Sequence, residues 1–267
     1  MERNKIISIV NQKGGVGKTT TTLNMSAWFS MFAKCKVLII DGDGQANLTT
    51  CLNIDMAKVK GTLYDLLTNE DLKAQDIIYQ DSNLLCDVII ADERLNDIDI
   101  VLSTAFDRER ILQYKLEEIR ANYDYIIIDC SPALNLTTYN ALVASDYLLI
   151  PVQSDFLAVR GTANMVDLIK NKVQKRLNPK LEILGLFLTM YDNRITTDKS
   201  IKDLLKEEFG DKALEVCIRE NSKVKDSPMY KKSIFEYDRN SNGCVDYYNL
   251  MIELWQRLGG SVNNERK

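Results

Sequence analysis

Three stretches of this 267-residue chain hold the residues best suited to chemistry. "NQKGGVGKTT" at 11–20 sets Lys13 and Lys18 at the ends of a glycine-rich run, "VLIIDGDGQANLT" carries Asp41 and Asp43, and "YDYIIIDCSPAL" carries Asp129. Gly14, Gly15 and Gly17 let the backbone, Val16 included, curl until its N–H groups face a bound phosphate. A helix opening at Lys18 adds partial positive charge. Lys18 would reach the β- and γ-phosphates of a nucleotide, the Thr19 hydroxyl would ligate Mg²⁺, and Thr20 is placed for a further phosphate contact. Asp41 and Asp43 repel each other unless a cation lies near, and Asp129, closing an apolar run, reads as the acid that holds a Mg²⁺-bound water. The implied chemistry is phosphoryl transfer from ATP with Mg²⁺.

The second lysine is the unusual feature. The common phosphate-loop pattern G-x-x-x-x-G-K-[ST] fails here because Gln12 stands five positions before Gly17. Lys18 already serves the loop's own phosphates, so Lys13 is either a solvated loop residue or a cation offered to a second nucleotide. In the second case it offsets repulsion between two bound triphosphates.

The chain contains no histidine, which removes Ser-His-Asp and Cys-His nucleophile systems and His-containing zinc sites. Its six cysteines lack C-x-x-C spacing, no apolar leader is present, and no run of about 18 apolar residues occurs; this reads as a reduced, cytoplasmic protein without a membrane span.

The elements that must position these groups follow from the apolar pattern. Unalternating apolar runs at 5–10, 36–41, 124–129, 146–152 and 181–190 predict strands buried on both faces. Helical patterns lie between them at 19–32, 107–121, 155–177 and 196–209. The expected fold is a single α/β domain over 1–267, a mostly parallel twisted sheet flanked by helices, with a short polar tail from about 259.

Lysine directly before two glycines is the deviant Walker A form, and the chain here resembles the ParA/MinD/nitrogenase iron protein group of ATPases. "SDYLLIPVQSDFLAVRG", "GLFLTMYDNRI" and "IRENSKVKDSPMYKKSIFEYD" extend the resemblance to ParA/Soj partition ATPases over about residues 5–255. The resemblance implies that Lys13 reaches the partner's nucleotide in an ATP-bound homodimer while Lys18 serves its own. It further implies that Asp43 positions the attacking water and that Asp41 supports Mg²⁺ through its water shell. Departures are Gly44 and Ser131, each where the family has proline, and Arg219-Glu220 where it has the proline-arginine pair of the adenine pocket.

The family also implies non-specific DNA binding, attachment to the nucleoid, and a ParB-type or other centromere-binding partner that stimulates slow hydrolysis. Net charge is -4, yet residues 170–232 hold 15 Lys+Arg against 10 Asp+Glu, a local excess of +5, whereas residues 1–169 hold 15 against 23. Arg194, Lys199, Lys202, Arg219, Lys223 and Lys225 are the candidate DNA contacts, suited to phosphates and without aromatic interleaving. The start of the chain close to its first strand leads us to expect no operator-reading helix-turn-helix module. A MinD-like membrane-cycling ATPase is the alternative; Leu250, Met251, Leu254, Trp255 and Leu258 form a core-type stripe rather than a basic amphipathic helix, so no membrane contact is expected. A metabolic ATP-using enzyme of the same superfamily is a third reading and would not require Lys13.

Overall fold

The computed structural model describes residues 3–261. Seven strands, β1 (Lys5–Ile9), β2 (Val37–Gly42), β3 (Asp87–Ile89), β4 (Tyr125–Cys130), β5 (Tyr147–Gln153), β6 (Glu182–Tyr191) and β7 (Ile218–Arg219), form one sheet in the order β3-β2-β4-β1-β5-β6-β7. Every pairing of neighbours is parallel. The five long strands lie where the apolar runs predict, within a residue or so. The short edge strands β3 and β7 are additions. The order of β1 and β4 is what matters for function: β4 inserts between β1 and β2, so Ile9 pairs with Asp129 and Asp41 pairs with Asp129.

The helices of nine residues or more among the described residues are α1 (Lys18–Met31), α2 (Ile111–Arg120), α3 (Leu136–Ala144), α4 (Phe156–Ile169), α5 (Thr196–Phe209) and α6 (Asn242–Arg257). The pattern over 107–121 starts late because Asp107 is left-handed and Arg108–Arg110 form a 3₁₀ turn. The pattern over 155–177 ends its regular helix at Ile169 and continues as a π-helical turn, Lys170–Gln174.

Alternate strand residues feed two apolar layers. Leu38, Ile40, Ile126, Ile128, Leu148 and Ile150 face α2 to α5. Val37, Ile39, Tyr125, Ile127, Leu149 and Phe187 face α1 and α6. Burial on both faces explains why the strands read as unbroken apolar runs. The second layer is aromatic: Trp28 meets Trp255 with ring centroids 5.7 Å apart, and Phe29 meets Tyr125 at 4.7 Å. Leu250, Met251, Leu254, Trp255 and Leu258 are all buried there, so the stripe on α6 belongs to the core. The polar tail expected from about 259 lies mostly outside the described residues.

Gly42, the last residue of β2, is fixed by close approach. A Cβ there would stand 2.8 Å from the Asp129 carbonyl oxygen. Backbone cannot yield as a side-chain tip can, so Gly42→Ala should push β2 and β4 apart and lower stability by about 1–3 kcal/mol. The expected reading is a lower urea midpoint at unchanged m; an unchanged midpoint would show that the strand ends tolerate separation.

Candidate functional site

The loop between β1 and α1 is held at both ends and free at its crest. Asn11 is buried; its Nδ2 donates to the Pro151 carbonyl at 2.8 Å and to Thr162 Oγ1 at 3.2 Å, while its Oδ1 accepts the Lys13 amide at 3.0 Å. At the far end Val16 is fully buried, and its carbonyl accepts the Thr189 hydroxyl at 3.0 Å. Gly17, the residue before α1, sits at φ 92, ψ 23, a left-handed conformation that costs glycine nothing and other residues more. The first turn of α1 contains no acid and receives no side-chain cap, so its N–H groups face the loop cavity. Thr21 and Thr22 donate their hydroxyls back to Gly17 and Lys18 carbonyls, whereas Thr19 and Thr20 line the cavity.

Lys18 is buried, and its Nζ donates to the Lys13 carbonyl at 3.3 Å. Burial lowers its pKa; the nearby Asp129, Cys130 and Asp43 oppose that. Opposite stand the carboxylates. Asp41 accepts the Thr49 amide at 2.8 Å and hydroxyl at 2.7 Å on Oδ2, and the Asp43 amide at 3.2 Å on Oδ1. Burial nevertheless pushes its pKa up to about 6. Both oxygens being so engaged, Asp41 acts first on the loop that presents Asp43.

Asp129 is the opposite case. Its Oδ2 accepts the Thr19 hydroxyl at 2.7 Å, but its buried Oδ1 has no hydrogen-bond partner. Burial, then the Asp41 charge, pushes its pKa up to about 8, with Thr19 and Lys18 pulling the other way. An orphaned buried carboxylate oxygen beside a hydroxyl is a good fit to a hard divalent cation or its water shell. Among the described residues no cluster of three or more His, Cys, Asp or Glu could hold a metal ion. Such a cation would therefore take most of its ligands from phosphates and water, as Mg²⁺ does.

Asp43 is half-buried on the cavity wall, its Oδ1 accepting the Gln45 amide at 3.0 Å. Gly44 packs against the Asn96 side chain, which a Cβ would strike. Lys13 points out of the loop: its Nζ lies 3.9 Å from Asp155 Oδ1, with both side chains more than two-fifths exposed. The cavity, about 490 Å³, extends from Gly14–Thr20 and Asp43 to an apolar end bounded by Met190, Ile218, Val224, Pro228 and Tyr247. Met190 holds φ 54, an uncommon conformation for its type, at that end.

The basic candidates are dispersed. Arg194 pairs with Asp192 at 2.6 Å, Lys202 with Glu215 at 3.6 Å, Lys225 with Glu220 at 2.6 Å, and Arg219 grips Asp246 through Nε and Nη2. Arg219 and Lys225 line the cavity, so the site expected for the base and the region expected for DNA adjoin. Lys199 and Lys223 stand exposed. Sequence reasoning missed Asn11, Thr49, Thr189 and Tyr247, whose hydroxyl lies 3.3 Å from Thr21 Oγ1; nothing local in the sequence marks them.

A glycine phosphate loop leaving the strand beside the acid-bearing one, within an all-parallel sheet of this order, is the architecture of P-loop NTPases. Comparison with known proteins narrows the class. A family model described as an AAA domain matches residues 4–183. The chain is 41% identical over 250 residues to the sporulation initiation inhibitor protein Soj of Bacillus subtilis, covering 94% of this chain and 98% of that one. It is 38% identical over 257 residues to the chromosome partitioning protein ParA of Caulobacter vibrioides, covering 95% and 94%. Its fold matches cobyrinic acid a,c-diamide synthase of Mycobacterium smegmatis, solved with bound ATP analogue and magnesium, with a TM-score of 0.79 and 26% identity over 96% of each chain. The chain belongs to the Soj/ParA family of P-loop ATPases.

Asp129 gives the site a pH signature. Its folded pKa is about 8 against 3.8 unfolded, so the stability it contributes is full below about pH 4 and is lost as pH rises toward 8. Asp129→Asn removes that loss. Without Mg²⁺ or nucleotide, the variant's advantage over the wild type should be smallest near pH 4 and grow steadily toward pH 8, by on the order of 1 kcal/mol per pH unit. Parallel melting curves across that window would remove Asp129 as a buried strained acid.

Proposed function

We propose that the chain is an ATP-driven partition switch: Mg-ATP joins two copies, the pair binds DNA without sequence preference, and hydrolysis, stimulated by a centromere-binding partner, releases it. The observation that carries this reading is Lys13, a loop lysine directed away from its own phosphate cradle. Lys18 already occupies the cradle from within. Asp155, which lies within ion-pair distance of Lys13, precedes Phe156 and Leu157, 50% and 74% exposed on the first turn of α4. A second copy seated there would cover that apolar face and bring each Lys13 to the other's nucleotide.

In this reading the amides of Gly14–Gly17 and Lys18 would hold the phosphates, and Thr19 and Asp129, with Asp41 behind them, would hold Mg²⁺. Bound Mg²⁺ would neutralise charge on the β- and γ-phosphates. Asp43 orients a water for attack on the γ-phosphorus; the bond to the β,γ-bridging oxygen breaks as the new P–O bond forms, giving ADP and phosphate. Catalysis is then mostly positioning and charge stabilisation. The burial of the α6 stripe removes that apolar face from any role at a membrane surface, and no described helix is long and apolar enough to cross one.

Two variants test the reading together. Asp43→Ala with saturating Mg-ATP should sediment as a dimer and hydrolyse ATP on the order of 10²–10³ times more slowly. Adding Lys13→Ala should return it to monomer while ATP affinity stays within a few-fold. A metabolic ATP-using enzyme would keep its turnover without Lys13, and solely monomeric Asp43→Ala protein would sink the switch.

A further inference from the structure

Gly44 follows Asp43 in a turn whose backbone does not call for glycine. The Ala46 amide donates to the Asp43 carbonyl at 2.8 Å, closing a four-residue turn with Gly44 at its second position. Gly44 is not among the glycines with positive φ, and its amide donates to no group among the described residues. Such a position accepts most residues, proline included. The space beside it is what is taken. A Cβ on Gly44 would stand 2.7 Å from Asn96 Cγ and 3.0 Å from Asn96 Nδ2, inside contact distance. The Asn96 side chain therefore lies against the turn, in the volume that a larger residue at position 44 would fill.

Asn96 is itself firmly held. It belongs to the 3₁₀ turn Glu93–Asp97, anchored by buried Leu95 and by Ile98, which follows the turn and is also buried. On one side Arg94 donates to Asp92 Oδ1 through Nε and to Asp65 Oδ1 through Nη1, each at 2.9 Å, with its guanidinium 4.5 Å from the Tyr64 ring centre. Asp92 also accepts the Thr62 hydroxyl at 2.6 Å. On the other side Asp99 accepts the amide of Leu136, the first residue of α3, at 3.2 Å. The turn that carries Asp43 has less of its own to hold it. Glycine is the least restricted residue, and Gln45 and Asn47 are exposed. Because Asp43 Oδ1 is engaged by the Gln45 amide, the place of its Oδ2 on the cavity wall follows from the conformation of this turn.

We propose that Asn96 is a positioning residue for ATP hydrolysis: pressed against Gly44, it fixes the Asp43 turn and with it the carboxylate that orients the attacking water. The proposal rests on the reading of Asp43 given above and deepens it. A side chain at position 44 would restrict the turn from within; here a neighbouring, better anchored segment restricts it from outside. The two positions therefore depend on each other. Asn96 matters while residue 44 is glycine, and its role passes to any residue at 44 that limits the backbone by itself.

The test is a double-mutant cycle in the full chain, comparing Asn96→Ala, Gly44→Pro and the two combined, with Asp43→Ala as the reference for loss of the water-orienting carboxylate. With Mg-ATP, Asn96→Ala should lower kcat roughly tenfold while KM for ATP stays within a few-fold. Its Tm should hardly move, since Asn96 is exposed. The combined variant should recover most of the lost kcat, because proline fixes φ at the second position of the turn and the space left by Asn96 admits its ring. Hydrogen exchange of the Ala46 amide, followed without nucleotide, should quicken in Asn96→Ala and slow again in the combined variant, whatever the turnover. A wild-type kcat and exchange rate in Asn96→Ala would overturn the proposal, as would a loss of equal size whether residue 44 is the native glycine or carries Gly44→Pro. A fall in Tm with kcat unchanged would leave Asn96 a structural residue and overturn it too. If Asp43→Ala turns over at the wild-type rate, the reading of Asp43 falls and takes the positioning role with it; slow Asp43→Ala beside unimpaired Asn96→Ala overturns the positioning role alone.

Discussion

The structure turns on the pairing of β2 with β4, which sets Asp41 and Asp129 side by side at the buried end of the sheet. Gly42 permits it by leaving room for the Asp129 carbonyl. Two adjacent carboxylates out of water cannot both ionise cheaply. Thr49 satisfies one of them; Thr19 satisfies only half of the other. The nearby buried cation, Lys18, is itself disfavoured in its charged form by burial. The site's own side chains are therefore short of positive charge. A triphosphate alone would worsen that shortage, so nucleotide and divalent cation are expected to bind as a unit, the cation serving the acids and the phosphates together.

The same arrangement links the phosphate end to the distant end of the cavity. Thr189, near the end of β6, holds the Val16 carbonyl, and the next residue, Met190, is turned into a left-handed conformation on the cavity wall. Tyr247 of α6 reaches Thr21 of α1 while lining the same cavity. Loop, sheet edge and last helix thus share side-chain contacts around one ligand space. A change at the phosphates has short physical routes to the surface beyond β7.

What was legible in the sequence was what local spacing encodes. The glycine loop, the lysines flanking it and the acids at strand ends are each defined within a dozen residues, and burial on both faces makes the central strands read as apolar runs. The edge strands were not legible because Asp87–Ile89 and Ile218–Arg219 are too short for any period to show. Asn11 to Thr162 and Thr189 to Val16 bridge 151 and 173 positions, distances at which sequence carries no pairing signal. In the basic region a count of charges does not show which are paired: Glu215, Asp246 and Glu220 pair with Lys202, Arg219 and Lys225. The expected absence of aromatic interleaving does not hold at Lys223, whose Nζ lies over Tyr237, itself stacked on Tyr230.

Lys13 shows why a switch of the proposed kind can be reversible. Its ion pair with Asp155 is long and solvent-exposed, an interaction of the sort that contributes roughly 0–1 kcal/mol. Such a partner keeps the lysine at the mouth of the loop without holding it there against a triphosphate. In the proposed pair, the gain from Lys13 exists only while a partner's nucleotide carries its γ-phosphate, because that is where the repulsion between two bound ligands is greatest. Hydrolysis and loss of phosphate remove the charge that Lys13 answers, and the weak pairing with Asp155 is enough to take the lysine back. In the proposed pair, association would therefore depend on the chemical state of the ligand more than on the area of protein brought together.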